Sequence, residues 1–231
     1  LPEQVTDDAV GSVFRSAGQR CSALRLLCVQ EHVADPIFRM VEGAARELVL
    51  GDPHDPATHV GPVIDQESKD RLNAWIDKHA KQVRYRWDQD HTLPAGLFVP
   101  PTVIELNSAA DLREEVFGPI LHVVRYQASH LDKVLEAINQ TGYGLTLGVH
   151  TRIQETADFV RSRARVGNLY VNRNQIGAVV GVQPFGGEGL SGSGPKAGGP
   201  HYVTRFATER VRSTDTTASG SPRRFYRLHS L

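Results

Sequence analysis

Cysteine, methionine and tryptophan are nearly missing from this sequence: two, one and two of them in 231 residues. Two cysteines cannot build a disulfide framework, and Cys21 and Cys28 do not form a C-x-x-C pair. A small stapled scaffold and a thioredoxin-type motif are therefore excluded. With Leu24 to Gln30 extended, the two thiols lie beyond the roughly 7 Å Cα separation that a bridge tolerates, so reduced thiols in a cytoplasmic protein are expected. An excess of either charge is also absent, because Lys plus Arg number 26 and Asp plus Glu number 26. Nothing in that balance draws the chain to nucleic acid or to a membrane surface. No apolar run is long enough to span a bilayer, and no signal peptide is visible. The histidines are scattered without ligand spacing, with His54 and His59 in a proline-rich loop, so no metal is expected. A Walker A loop is missing as well.

What is present is ordinary globular composition, 40% hydrophobic and 23% charged, enough for one cored domain with an appendage. The chain opens Leu1-Pro2-Glu3, and its one methionine is Met40. We read it as an excised piece of a longer protein, one that carries part of a site.

Thr6 reads as the cap of a first helix with Val10, Val13, Phe14 and Ala17 on its apolar face and Gly18 ending it. Leu24 to Gln30 reads as a buried strand. Asp35-Pro36 starts a second helix bearing Ile37, Val41, Ala44, Ala45 and Leu48, closed by Gly51. A turn-rich loop follows to Asp65, then a third helix from about Gln66 to Lys81. "VRYRW" alternates like an exposed strand, and Thr102 to Leu106 gives another. From Ile120 the order is strand, helix capped by Ser129, strand, helix over Ile153 to Arg163, strand. That rhythm predicts an α/β domain with parallel pairing. "HYVTRFATERV" reads as a strand leaving the domain, and Ser213 to Pro222 as a polar tail before the basic "RRFYRLHSL".

Cys21 falls just past the first helix and just before a buried strand, where α/β proteins place ligands. A helix C-terminus disfavours a thiolate while Arg20 favours one. On spacing alone Cys21 reads as a core or loop cysteine, and Cys28 as packing. Glu115 and Phe117 stand two residues apart before a Gly118-Pro119 turn. They suit a sugar hydroxyl and a flat ring, or else a solvated acid beside a core aromatic. The G-x-x-G-x-G run of Gly189, Gly192 and Gly194 reverses a dinucleotide fingerprint; it reads as backbone passing close to a ligand, a strand or another domain.

Together, "FRSAGQRCSALRLLCVQ", "GDPHDPATHVGPVID", "EEVFGPI", "GNLYVNR" and "QPFGGEGLSGSGPKAGG" resemble, in this order, the C-terminal part of the aldehyde dehydrogenase superfamily. "GQRCSALR" and "VNRNQIGAVVGVQPFGGEGLSGSGPKAGGPHY" are similar to glutamate-γ-semialdehyde dehydrogenase, in the form carried by bifunctional bacterial proline utilization A proteins. The resemblance runs from about Val5 to Arg205. It implies an NAD-dependent enzyme with Cys21 as nucleophile, reversing the spacing-only reading. Glu115 would then bind the nicotinamide ribose, with Phe117 beside the nicotinamide. Gly177 and Ala178 would anchor the substrate carboxylate, aided by Ser22, with Arg20 as a charge partner and Phe185 packing on the aliphatic middle. It also implies a catalytic domain over 1–195 and an oligomerisation segment and tail over 196–231, in a homo-oligomer. The NAD-binding domain, the general base and the side-chain oxyanion donor would lie upstream of this chain. FAD would belong to the parent's proline dehydrogenase half. The alternatives are an aldehyde dehydrogenase with another substrate, and an assembly module whose tail strand matters more than its thiol.

Overall fold

The computed structural model describes residues 1–215 and 217; most of the polar tail and all of the basic terminus lie outside the described residues. Helix α1 (Pro2–Phe14) begins ahead of Thr6. Pro2 sits in the first turn, where its missing N–H costs nothing. Thr6 is buried among Ala9, Ser12, Val13 and Phe14 and caps nothing. Strand β1 (Leu26–Gln30) runs straight into α2 (Glu31–Arg46). The Asp35-Pro36 pair therefore lies inside that helix and does not start it. Pro36 gives up only the bond to a carbonyl in the first turn, and Asp35 instead pairs with Arg125 at 2.6 Å. Ala34, Ile37, Phe38, Val41 and Ala45 face inward; full burial of Phe38 is worth roughly 1.5–3 kcal/mol.

Helix α3 (Gln66–Lys78) is capped by Asp65, which accepts the Ser68 N–H at 2.8 Å. Three more strands, β2 (Val83–Arg86), β3 (Thr102–Leu106) and β4 (Ile120–Tyr126), join β1 in the order β1-β4-β3-β2. The first three are parallel, and β2 closes the edge antiparallel to β3. Central β4 is buried from Ile120 to Val124 and apolar there except for His122, as suits a strand covered on both faces. Glu105 on β3 accepts from Arg84 and Arg125, and both guanidiniums lie over the Phe38 ring.

Helix α4 (Leu131–Gln140) is preceded by a 3₁₀ turn holding Ser129, so His130 takes the cap position and Ser129 caps nothing. Short β5 (Tyr143–Gly144) leads to β6 (Thr146–Val149), α5 (Gln154–Arg163) and β7 (Asn168–Val171). Strands β6 and β7 pair in parallel, as the rhythm predicts, but they form a separate sheet and do not continue from β4. Their anchor is α1: Gln4 donates to the Asn172 carbonyl at 2.7 Å, and Asp8 faces His150 at 3.6 Å. A cavity of about 350 Å³ separates β1 from β6.

The glycine-rich segment is tied in through β8 (Glu188–Gly189), which pairs antiparallel with β5 in a third, two-stranded sheet. A Cβ on Gly167 would lie 1.8 Å from the Gly186 carbonyl oxygen, so only backbone fits there. Lys196 donates to the Gly167 and Gly186 carbonyls at 2.5 and 2.6 Å. The expected close passage is thus against the chain's own backbone. Beyond it, Val203–Phe206 is a 3₁₀ turn, and the described part of the segment contains no strand. Among the described residues, none of the open sheet edges pairs with this segment. Among the described residues no helix is long and apolar enough to cross a membrane.

Buried His122 on β4 ties the sheet to the turn before β1. Trp75 Nε1 can only donate, and it donates to His122 Nε2 at 3.0 Å. The neutral ring therefore carries its proton on Nδ1 and donates to the Arg25 carbonyl at 3.0 Å. Burial pulls the His122 pKa down to about 4. Below pH 6.5 the unfolded ring takes up a proton that the folded ring refuses. Stability from this group is complete above that pH and drains as pH falls toward 4, by about 3 kcal/mol. Urea denaturation should show this loss in the unsubstituted chain, whereas His122→Asn, weaker at pH 7, should lack that component of the pH dependence. Parallel pH profiles of the two proteins would refute the assignment.

Candidate active site

Three consecutive residues after α1 take left-handed backbone angles: Ser16, Ala17 and Gly18, with φ of 57°, 52° and 66°. For non-glycine residues each costs about 1–2 kcal/mol, so surrounding contacts must hold the turn. Arg20 Nε donates to Ser16 Oγ at 2.9 Å. Gln19 bridges to the next loop, donating to the Pro62 carbonyl and accepting the Ile64 N–H. Leu24 N–H returns to the Ser12 carbonyl on α1 at 3.1 Å. Cys21 sits on the tight turn between these ties, exposed, and its N–H makes no backbone hydrogen bond among the described residues. That N–H is a donor beside the thiol with nothing yet to serve.

The other wall is the segment from Glu115 to Gly118. It lies against the turn because a Cβ on Gly18 would stand 2.1 Å from the Gly118 carbonyl oxygen; the two backbones touch. A cleft of about 370 Å³ opens between them, lined by Cys21, Arg25, Glu115 and Phe117 and continuing past Tyr143 to Gln175 and Ser191. Cys21, Glu115 and Phe117 are therefore brought together. Glu115 keeps 39% of its side chain exposed, so a ligand hydroxyl can reach it.

The residue that joins the walls is Arg25, which the sequence reading passed over inside an apolar strand. Its guanidinium donates to the Gly118 carbonyl at 3.3 Å and to the Arg20 carbonyl at 3.1 Å. It also lies 4.6 Å above the Phe117 ring and faces Glu115 at 3.7 Å. Burial lowers its pKa from the ordinary arginine value, opposed by Glu115 first and then by Cys21. A lone charge in "ALRLLCV" is the signal that could have found it, since a buried arginine must have partners.

The remaining expected residues do not line this cleft. Arg20 turns to Ser16 and not to the thiol, and Ser22 is buried behind the turn. Gly177 and Ala178 follow Gln175, beyond the cleft's edge. Close approach of a neighbour is not what requires glycine at Gly177. A Cβ there would meet nothing within 4 Å, and its φ of 77° is what demands glycine. Phe185 is half-buried and exchanges two backbone hydrogen bonds with Ala197. Cys28, beside the cavity at β1, has its thiol pKa pushed up to about 12 by burial.

Residues 2–211 match the aldehyde dehydrogenase family. The bifunctional protein PutA of Klebsiella aerogenes is 56% identical over 217 residues, covering 91% of this chain and 16% of that protein. A 1-pyrroline-5-carboxylate dehydrogenase from Geobacillus sp. is 38% identical over 204 residues, covering 87% of this chain and 39% of that enzyme. Among solved structures, a mutant of Bradyrhizobium japonicum proline utilization A superposes with a TM-score of 0.89 at 61% identity, covering 95% of this chain and 22% of that one. The Thermus 1-pyrroline-5-carboxylate dehydrogenase with bound NAD gives a TM-score of 0.81 at 33% identity, covering 89% and 40%. The chain thus spans about a sixth of the curated PutA proteins it matches.

Two measurements check this geometry. Gly18→Ala places a methyl on the Gly118 carbonyl and keeps a left-handed backbone, so it should cost about 2–4 kcal/mol in urea denaturation. At pH 8 only about one Cys28 thiol in ten thousand is ionised. Iodoacetamide followed by peptide mapping should therefore label Cys21 and leave Cys28 untouched until the chain is unfolded.

Proposed function

We propose, from the premise that the chain belongs to the aldehyde dehydrogenase family, that it carries the nucleophile-bearing part of an NAD-dependent glutamate-γ-semialdehyde dehydrogenase. The observation that carries this is the convergence of Cys21, Glu115 and Phe117 on one cleft. 1-Pyrroline-5-carboxylate is the cyclic imine of that aldehyde, which ties the substrate to the relatives' printed names. The residues fit the cofactor. Phe117 offers a flat face on the cleft, and Glu115 offers an exposed carboxylate to ribose hydroxyls. When bound, NAD supplies a hydride acceptor.

Cys21 Sγ adds to the aldehyde carbon, and the carbonyl electron pair moves onto oxygen. The Cys21 N–H, free of backbone partners, donates to that oxyanion. The carbonyl re-forms as the C–H electron pair leaves as hydride, and Cys21 is left holding a thioester. Water then adds to the thioester carbon and the C–S bond breaks, releasing the carboxylic acid and the thiol. The base that activates this water and the nucleotide-binding domain belong to sequence outside this chain, as does the FAD-dependent half.

For the substrate's far end, Gly177 and Ala178 remain our choice of carboxylate anchor, supported by the open space at Gly177. Ser22, Arg20 and Phe185 would join them only after rearrangement of the loops that now hold them. Residues 1–195 form the catalytic unit in this reading, and 196–231 the assembly segment. The exposed apolar side chains of Val203, Phe206 and Val211 support a strand that forms against another copy.

In the full-length protein, Cys21→Ala should abolish NAD reduction with every aldehyde. Ala178→Leu should lower kcat/KM for glutamate semialdehyde while sparing propanal. One charged hydrogen bond plus positioning is worth about 1.5–3 kcal/mol, or roughly one to two decades. Equal losses for both aldehydes would show that the loop supports the fold and does not read the carboxylate.

A further inference from the structure

Arg25 does more than fill a gap between the walls. Its backbone is fixed from behind, because its carbonyl accepts both the His122 N–H at 3.1 Å and the His122 Nδ1–H at 3.0 Å. His122 is fixed in turn by Trp75. From this rigid post the side chain reaches two backbones, the Arg20 carbonyl on the nucleophile turn and the Gly118 carbonyl on the opposite wall. Two contacts remain, and both go to the residues proposed to meet the cofactor: the Phe117 ring under the guanidinium plane, and the Glu115 carboxylate beside Nε. At 3.7 Å that last pair is short of a hydrogen bond, and the buried Nε has no other partner among the described residues. A closing movement of under about an ångström would complete it.

We propose that Arg25 is a positioning residue: it sets where Glu115 and Phe117 stand relative to Cys21, so that a ribose bound at Glu115 leaves the nicotinamide ring on Phe117 and facing the thiol. The inference rests on the reading of the cleft given above. The planar guanidinium suits the task because it can stack on a ring and donate along its edges together. A lysine at this position keeps the charge and loses both the stack and the fork.

Arg25→Lys in the full-length protein is the principal test, since it retains the buried cation; Arg25→Lys combined with Glu115→Gln completes a double-mutant cycle. NADH binding is read from its own fluorescence, and Cys21 reactivity from the rate of iodoacetamide labelling. The expected result is NADH affinity weakened about 5-fold or more, a weakening no longer seen once Glu115 is already Gln, and a Cys21 labelling rate within about 2-fold of the parent. With an aldehyde deuterated at C1, the isotope effect on kcat should rise as misplacement makes hydride transfer limiting. Unchanged NADH affinity would overturn the proposal. So would losses in affinity, labelling and folded-state signal that move together and add independently of Glu115, because a purely structural arginine behaves that way. If the unsubstituted protein binds no NADH, the reading of the cleft falls and the role of Arg25 falls with it, a signature that no Arg25 variant is needed to see.

Discussion

The site exists because two backbones touch. Gly18 and Gly118 come so close that no side chain fits between them, and this contact sets the distance between the thiol and the acidic wall. Everything local to Cys21 follows from it. The chain must leave α1 through three left-handed residues to reach Gly118, a costly path. The ties made by Gln19, Arg20 and Leu24 hold that path in place. A flexible turn with the same residues would expose a cysteine, but it would not aim one.

Polar groups buried behind the contact carry the position further into the core. Trp75, His122 and Arg25 form a chain in which Trp75 Nε1 donates to His122 Nε2 and His122 Nδ1 donates to the Arg25 carbonyl, with the imidazole neutral. A neutral ring suits this place, because a second buried cation would face the guanidinium. The wall at Glu115 is thereby connected to β4, the central strand, and not merely to its own loop. That connection gives an exposed carboxylate a defined position without burying it.

Much of the fold was legible because its signals are local. The apolar runs of β1, β3 and β4, the start of α3 at Gln66 and the parallel crossover from β6 to β7 all follow from pattern and turn chemistry. Helix starts were less so. Pro2 outweighed the Thr6 cap, and the direct passage of β1 into α2 carried Pro36 inside a helix. The break between β4 and β6 depends on which surface α1 offers through Gln4 and Asp8, a question that alternation in sequence does not address. Within the site, Cys21, Glu115 and Phe117 came from a resemblance, because their spacing alone favoured packing or left two readings open. Arg25 was missed because a hydrophobic pattern tolerates one charge, and its partners lie some ninety residues away in the chain.

The position of Cys21 past a helix end looks unfavourable for a thiolate, since the carbonyl end of α1 repels negative charge. The geometry removes that objection without moving the residue. Three left-handed residues bend the chain off the helix axis before Cys21 is reached, and the end effect of a helix dies away within about one turn. What then shares the cleft with the thiol is the Arg25 guanidinium, and the Cys21 N–H has no backbone partner among the described residues. In the proposed reaction an attacking thiolate and the oxyanion that replaces it would carry the same charge at nearly the same place. In the proposed reaction a cation on the same cleft, together with the Cys21 N–H, would serve both without reorganising between them.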